Sequence, residues 1–318
     1  MENKDQHITS IGGQAVMEGV MMRGPYKTTV AVRKPDGEIE RKIEDTGVKT
    51  HSKICRLPII RGCVNFIDSL VIGMKALMYS AEFVDIEGDE EEESKFDQWL
   101  ERKFGDKIKD IVIYMSIAIS LVLSIGLFMV LPTFLTRLVE MIPFMKSITD
   151  TKMFTSVFEG IIRMAIFLGY MALVSQMKDI KRVFEYHGAE HKTIACYEAG
   201  EELTVENVRQ YTRFHPRCGT SFLLFVMIIS IILFLFLPKT GVFMRVILRL
   251  ALLPVVAGLS YEVIKWAGRS KNKFVCTLSK PGLWLQRLTT REPDDSQIEV
   301  AIASMLPCIP ENKDDDRW

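Results

Sequence analysis

IVIYMSIAISLVLSIGLFMVLPTFL, residues 111–135, carries no charged side chain. A helix needs about 20 apolar residues to cross the hydrocarbon core of a bilayer. This segment is long enough, so it places the chain in a membrane and frames everything around it. Three further apolar runs follow. FLLFVMIISIILFLFLP, 222–238, is also uncharged. TSVFEGIIRMAIFLGYMALVSQM, 155–177, contains Glu159 and Arg163, four apart and so able to pair on one helix face. GVFMRVILRLALLPVVAGLSYEVIKWAG, 241–268, contains Arg245, Arg249, Glu262 and Lys265 toward its ends, where long side chains can snorkel. Each of the four reads as a transmembrane helix.

Lysine and arginine set the orientation of such helices. Lys95, Arg102, Lys103, Lys107 and Lys109 precede the first span. Lys178, Lys181, Arg182, Lys192, Arg209, Arg213 and Arg217 lie between the second and third, and Arg269, Lys271, Lys273 and Lys280 follow the fourth. The opposite loops hold only Arg137, Lys146, Lys152 and Lys239. Both termini and the 178–218 loop are therefore expected in the cytoplasm, in a multi-pass protein of the cell membrane. The start, MENKDQHITS, has no apolar h-region, so no cleavable signal peptide is expected.

The 318 residues balance 40 basic against 40 acidic side chains, which gives no pull toward nucleic acid. Six scattered cysteines without C-x-x-C spacing suggest reduced thiols rather than a disulfide framework. KTTVAVRKPDGEIERKIE, 27–44, reads as a β-hairpin: period-two strands flank a P-D-G turn. IGGQAVMEGVMMRGP, 11–25, lacks the G-K-[ST] ending of a phosphate loop, and a tight packed turn is the preferred reading. Glu18 and Arg23 stand out in it as charges within an uncharged stretch. From Arg61 to Phe83, apolar residues at three- and four-residue steps predict a helix with one greasy face. Asp68 and Lys75 argue that it lies on the membrane surface or under the hairpin rather than across the bilayer. DIEGDEEEESK, 85–95, reads as an acidic linker, and Pro293–Asp294–Asp295 as the start of a tail helix.

The expected fold is thus mainly α: a polytopic α-helical membrane protein with four transmembrane helices and a small N-terminal cytoplasmic α+β region containing a hairpin. Its parts are residues 1–94, the four-span domain 95–268 with its histidine loop at 178–218, and a cytoplasmic helical tail, 269–318.

Chemistry concentrates in that loop. Three of the five histidines fall in EYHGAEHKTIACYEAG (185–200) and RFHPRCGTSF (213–222). On a helix, His187 and His191 project from one face a turn apart. Two imidazoles so placed can bind one transition metal ion. H-x-x-E-H is the reversed form of a zinc protease motif, and Glu190 can serve as a base that takes a proton from water. Candidates for a third ligand are His215, Cys218, Glu198 and Glu262. If His187, His191, His215 and Cys218 all bind, the site is closed and structural; if Cys218 stays free, water can enter. The alternative is a chance pattern in an ordinary loop, with Gly188 weakening the helix. Mixed imidazole and thiolate donors favour zinc.

IGGQAVMEGVMMRGP, YHGAEHKTIACYE, HPRCGTSF and PGLWLQRLTTREPDD together resemble the signature segments of the YqhQ family of bacterial membrane proteins of unknown function, described as metal-dependent enzymes. The resemblance implies a polytopic membrane protein. It makes His187, Glu190, His191, His215 and Cys218 the matching positions for a metal site.

Three functions compete. The first is a metal-dependent hydrolase acting on a membrane-proximal substrate, with Glu190 as base and Arg217 or Arg23 opposing developing negative charge. The second is a non-enzymatic scaffold or regulator with a structural metal, binding other membrane proteins. A transporter is least supported, since no repeat is readable, although a homo-oligomer would supply a pore.

Overall fold

The computed structural model describes residues 7–46, 55, 57–83, 108–142, 152–238, 240–269 and 273–317. The acidic linker at 85–95 lies outside them. The described chain forms strands β1 (Gly12–Val16), β2 (Gly19–Arg23), β3 (Lys27–Arg33) and β4 (Ile39–Asp45). Helices follow: α1 (Ile60–Ala81), α2 (Ile108–Ile125), a π-helical turn (Gly126–Val130), α3 (Leu131–Glu140), α4 (Lys152–Val174) and α5 (Lys178–Ala199). The remainder are α6 (Val205–Arg209), α7 (Gly219–Phe234), α8 (Val242–Arg269), α9 (Lys273–Thr289) and α10 (Asp295–Met305).

Among the described residues, four helices are long and apolar enough to cross a membrane: Ile60–Ala81, Met115–Glu140, Met153–Val174 and Val242–Ala267. The protein is therefore a mainly α polytopic membrane protein with a small N-terminal sheet, as expected. The set of four differs in one member. The run at 222–238 forms the shorter α7, 16 residues long, about 24 Å at 1.5 Å per residue. Beyond Phe234 the backbone tightens into i→i+3 turns at Leu235, Phe236 and Leu237, just before Pro238. In its place α1 qualifies. Of its predicted greasy face, Ile67, Val71, Met74 and Met78 are exposed while Val64 and Leu77 are half-buried, and its fully buried residues are the small ones, Gly62, Gly73, Ala76 and Ser80. That inside-out arrangement is the one expected of a helix whose neighbours are lipid on one side and protein on the other.

The hairpin is half of a larger sheet. All four strands pair antiparallel in the order β1-β2-β3-β4. The segment 11–25, read as a packed turn, is in fact the hairpin β1–β2 with Met17 and Glu18 at its tip. Glu18 takes a left-handed φ of 47° there. Period-two alternation sends Val20, Met22 and Ala31 to one face, where Tyr186, Ala189, Ile194, Ile298 and Met305 of α5 and α10 complete a core. Met21, Val30 and Val32 point the other way and pack on Ala76, Ile72 and Leu77 of α1. β4, IERKIED, is an edge strand whose charges discourage further pairing. At the start of α10, Asp294 and Gln297 form a reciprocal capping box, as the P-D-D signal suggested.

The contacts divide the chain into two units: residues 1–84, 171–230 and 253–318 in one, 85–170 and 231–252 in the other. The sheet and the histidines belong to the first.

Candidate metal centre

The histidine segment is not a loop but the C-terminal half of α5, which ends at Gly200 in the left-handed conformation. This helix is polar by composition yet largely buried, so its polar side chains must find partners inside the protein. Gly188 is required where it sits. A Cβ there would collide with the Arg291 carbonyl oxygen, so the absent side chain lets the 289–293 segment lie directly on α5.

That segment orients the first histidine. His187 Nδ1 donates to the Thr289 carbonyl (2.8 Å), which leaves Nε2 3.2 Å from Cys218 Sγ. His191 Nδ1 donates to the Arg213 carbonyl (2.6 Å), again leaving Nε2. Fixing one ring nitrogen to a carbonyl and offering the other is the usual support for a metal-binding histidine. The ligand atoms of His187, His191 and Cys218 all lie within 4.8 Å of one another. Burial opposes charge on His187, but the neighbouring Cys218 thiolate outweighs it and raises the imidazole to about 9. Burial alone would push the Cys218 thiol up, but the two histidines bring it well below its ordinary value.

Glu190 is buried on the same helix face, 4% exposed. Burial raises its carboxyl group, against the pull of His187 and His191. A backbone hydrogen bond from Gly13 of β1 reaches the carboxylate, while Oε2 has no hydrogen-bond partner among the described residues. Gly13 again allows close approach: a Cβ would lie 3.0 Å from Glu190 Cδ and 2.6 Å from the Met21 carbonyl oxygen. The glycines at 12 and 13 thus belong to the wall of the site. His187, Glu190, His191 and Cys218 open on a cavity of about 270 Å³, to which Gln14 and Arg23 also contribute.

His215 sits beside this trio rather than within it, its ring centroid 5.6 Å from that of His191. Gln286 of α9 grips its backbone from both sides, accepting from the N–H (2.9 Å) and donating to the carbonyl (2.7 Å). Arg217 donates to His215 Nε2 (3.3 Å), which fits a neutral ring, and burial lowers the imidazole accordingly. Glu198 does not approach the trio either. It pairs with Arg217 and accepts from the Thr9 backbone N–H (2.8 Å). Burial would raise its carboxyl, but His215 and Arg217 hold it below the usual range. Thr9 is in turn held by Asp316, whose Oδ2 accepts from the threonine hydroxyl (2.5 Å) and whose Oδ1 bonds His7 (2.8 Å). Glu262, the remaining candidate ligand, is committed elsewhere: its carboxylate pairs with Arg61 at the start of α1.

Sequence reasoning missed three groups that shape the site. Thr289 and Arg213 act through backbone carbonyls, which carry no residue signature. Gln286 lies in the tail after the fourth span, within a signature segment to which no site role was given. The fourth partnership had a signal: the conspicuous Glu18 at the hairpin tip pairs with Arg182 of α5 and accepts from the Tyr186 hydroxyl (3.3 Å), docking β1–β2 onto the histidine helix.

Fold and site together define a polytopic membrane protein in which His187 and His191 of the buried helix α5 meet Cys218, just before α7, in a cluster opening on a cavity. The chain belongs to the family described as "Protein of unknown function (DUF1385)", which matches residues 57–311. It is 38% identical over 299 residues to "Uncharacterized protein YqhQ" of Bacillus subtilis (strain 168), covering 92% of this chain and 90% of that protein. The family resemblance carried by the four signature segments is thereby borne out. No solved structure matches.

Proposed function

We propose that the protein is a metal-dependent hydrolase whose cavity faces the cytoplasmic side of the cell membrane and takes a membrane-proximal substrate. One observation carries this reading: three metal-competent donors converge on a cavity that also receives an unpartnered carboxylate oxygen of Glu190. His187, His191 and Cys218 would hold the ion, and two imidazoles with a thiolate suit zinc. Bound there, zinc supplies Lewis acidity. Three protein donors leave a position open, the pattern of catalytic rather than structural sites. Glu190 Oε2 holds or moves a proton, because no donor among the described residues claims it. Gly13 fixes that carboxylate from behind, and Arg23 at the cavity wall opposes negative charge on the substrate. His215 positions rather than ligates: clamped by Gln286, it keeps the 213–218 turn, and with it Cys218, in place.

Metal content and complementation test this together. Purified wild type should carry about one zinc ion per chain, and the His187→Ala/His191→Ala double variant none. Glu190→Gln should keep its zinc and normal abundance but fail to restore a deletion strain, since losing a general base costs about 10²–10⁴ in rate. Full complementation by Glu190→Gln would leave a scaffold with a structural metal. Full metal retention in the double variant would remove the metal reading altogether.

A further inference from the structure

The second unit holds a buried charge cluster that the proposed chemistry does not use. Glu159 of α4 is 1% exposed and sits among three arginines. Arg249 of α8 pairs with Glu159 and donates to the Thr133 hydroxyl (3.0 Å). Arg245, one turn earlier on α8, reaches Glu159 Oε2 at 3.3 Å. Arg163, one turn on from Glu159 in α4, lies 3.6 Å from Oε1 and donates through Nε to the Phe128 carbonyl (3.0 Å). The guanidinium carbons of Arg163 and Arg249 each stand 5.1 Å from the centroid of the Phe234 ring.

Three guanidinium groups against one carboxylate leave a charge of +2 among the described residues of this cluster. Arginine cannot shed its proton to escape the cost. A ring face and a carbonyl soften a buried cation but do not neutralise it. Uncompensated charge inside a membrane domain costs several kcal/mol, and intramembrane ionisable groups mark functional sites by default. Two observations show where the missing charge would go. A small part-open cavity of about 20 Å³ is lined by Thr155, Ser156, Arg245 and Arg249, with Leu237 and Pro238 beside them. Arg249 Nε is buried and has no hydrogen-bond partner among the described residues. The cavity admits one water-sized group.

We infer that this cluster is an anion site that takes one oxygen of a phosphate group, with Arg245 and Arg249 as its ligands. Glu159 sets its depth: it gathers the three arginines and neutralises one, so the cluster is assembled before the anion arrives and remains cationic afterwards. The phosphate comes either from a phospholipid headgroup or from solution. The site is separate from the histidine cluster and independent of the hydrolase reading.

Thermal unfolding of the full-length protein in neutral detergent tests the proposal. The additives are sodium phosphate against sodium gluconate at equal ionic strength, and dihexanoylphosphatidylglycerol against phosphate-free dihexanoylglycerol. At about 100-fold excess over Kd the wild-type midpoint should rise by about 5 °C in the phosphate-bearing additive. A rise with both phosphate additives marks dissolved phosphate as sufficient, and a rise with the lipid alone marks the headgroup as the source. Arg245→Gln should abolish the rise, and Arg245→Lys, which keeps the charge, should retain part of it. A wild-type midpoint identical in all four additives overturns the proposal, as does an equal rise in wild type and Arg245→Gln. Should Arg245→Gln fail to accumulate, Arg245→Lys beside wild type decides: an undiminished rise in Arg245→Lys counts against a direct arginine ligand.

Discussion

Glu198 shows how a single buried carboxylate organises the margin of the site. It has three partners, Arg217 and His215 from one turn and the Thr9 N–H from a segment nearly two hundred residues earlier. Only Arg217 is charged, because burial keeps His215 neutral. Replacing Glu198 by Gln would therefore leave a buried guanidinium without its anion. Breaking a buried pair from one side costs about 3–5 kcal/mol, and the unfolding midpoint of Glu198→Gln should fall accordingly. The sign with pH follows from the lowered folded-state value of Glu198. A carboxylate that is more acidic in the folded protein contributes its full stability above its unfolded value of about 4.3. That contribution is lost as pH falls through the folded value. Wild type should thus lose stability on acidification below about pH 4.3, and the variant should show a shallower loss over the same interval. Equal acid slopes for the two proteins would mean that Glu198 is not the linked group.

At the scale of elements, α5 depends on contact with a segment about a hundred residues later in the chain. Gly188→Ala drives a methyl group into the Arg291 carbonyl oxygen. The 289–293 segment must then lift away, and Thr289 leaves His187 Nδ1 with it. Overpacking of this kind costs about 1–3 kcal/mol. The expected outcome is a protein that still inserts but has weakened zinc retention, although no ligand has changed; zinc per chain after dialysis against a mild chelator measures it. Undiminished retention would show that the Thr289 hydrogen bond does not tune the site. The same element shows what could be read in advance. His187, Glu190 and His191 were legible because their spacing fits one helical turn. Gly188 looked like a weakness, since glycine disfavours helix by propensity, and only the later segment reveals what it admits. β1 and β2 were missed for a related reason. Glycines at 12, 13 and 19 depress strand propensity, but Gly13 is held in the sheet by its pairing with Met22 and by the approach of Glu190. The greasy face of α1 was found correctly. The sequence could not say that this face would be left exposed while small residues made the protein contact.

For the whole molecule, the open question with a direct answer is orientation. The excess of lysine and arginine before the first predicted span, within 178–218 and after 268 predicts that those segments face the cytoplasm. Reporter fusions after Trp318 and near Glu202 should therefore both read as cytoplasmic, and one near Ser147 as outside. An outside signal at Glu202 would put the histidine cluster on the opposite face and remove any cytoplasmic substrate. α1, which also has the length and composition of a span, adds a check: a reporter near His51 should agree with one near Glu202 only if α1 and the helices up to α5 cross an even number of times in total.

The hydrogen bonds around Asp316 bear on when the site comes into being. Thr9, which holds Glu198, is itself held by Asp316, and the backbone of Ser10 also donates to the Asp316 carbonyl. Thr9 and Arg317 form a lone antiparallel bridge. Thr9 and Asp316 lie 307 residues apart, so during synthesis Asp316 emerges long after Thr9, with the described apolar helices in between. A nascent chain can therefore be inserted, and its α5 formed, while the margin of the cavity is still open. The latch closes only when the segment around Asp316 folds back onto Thr9, so a chain cut before Asp316 would yield an inserted protein with an unfinished centre.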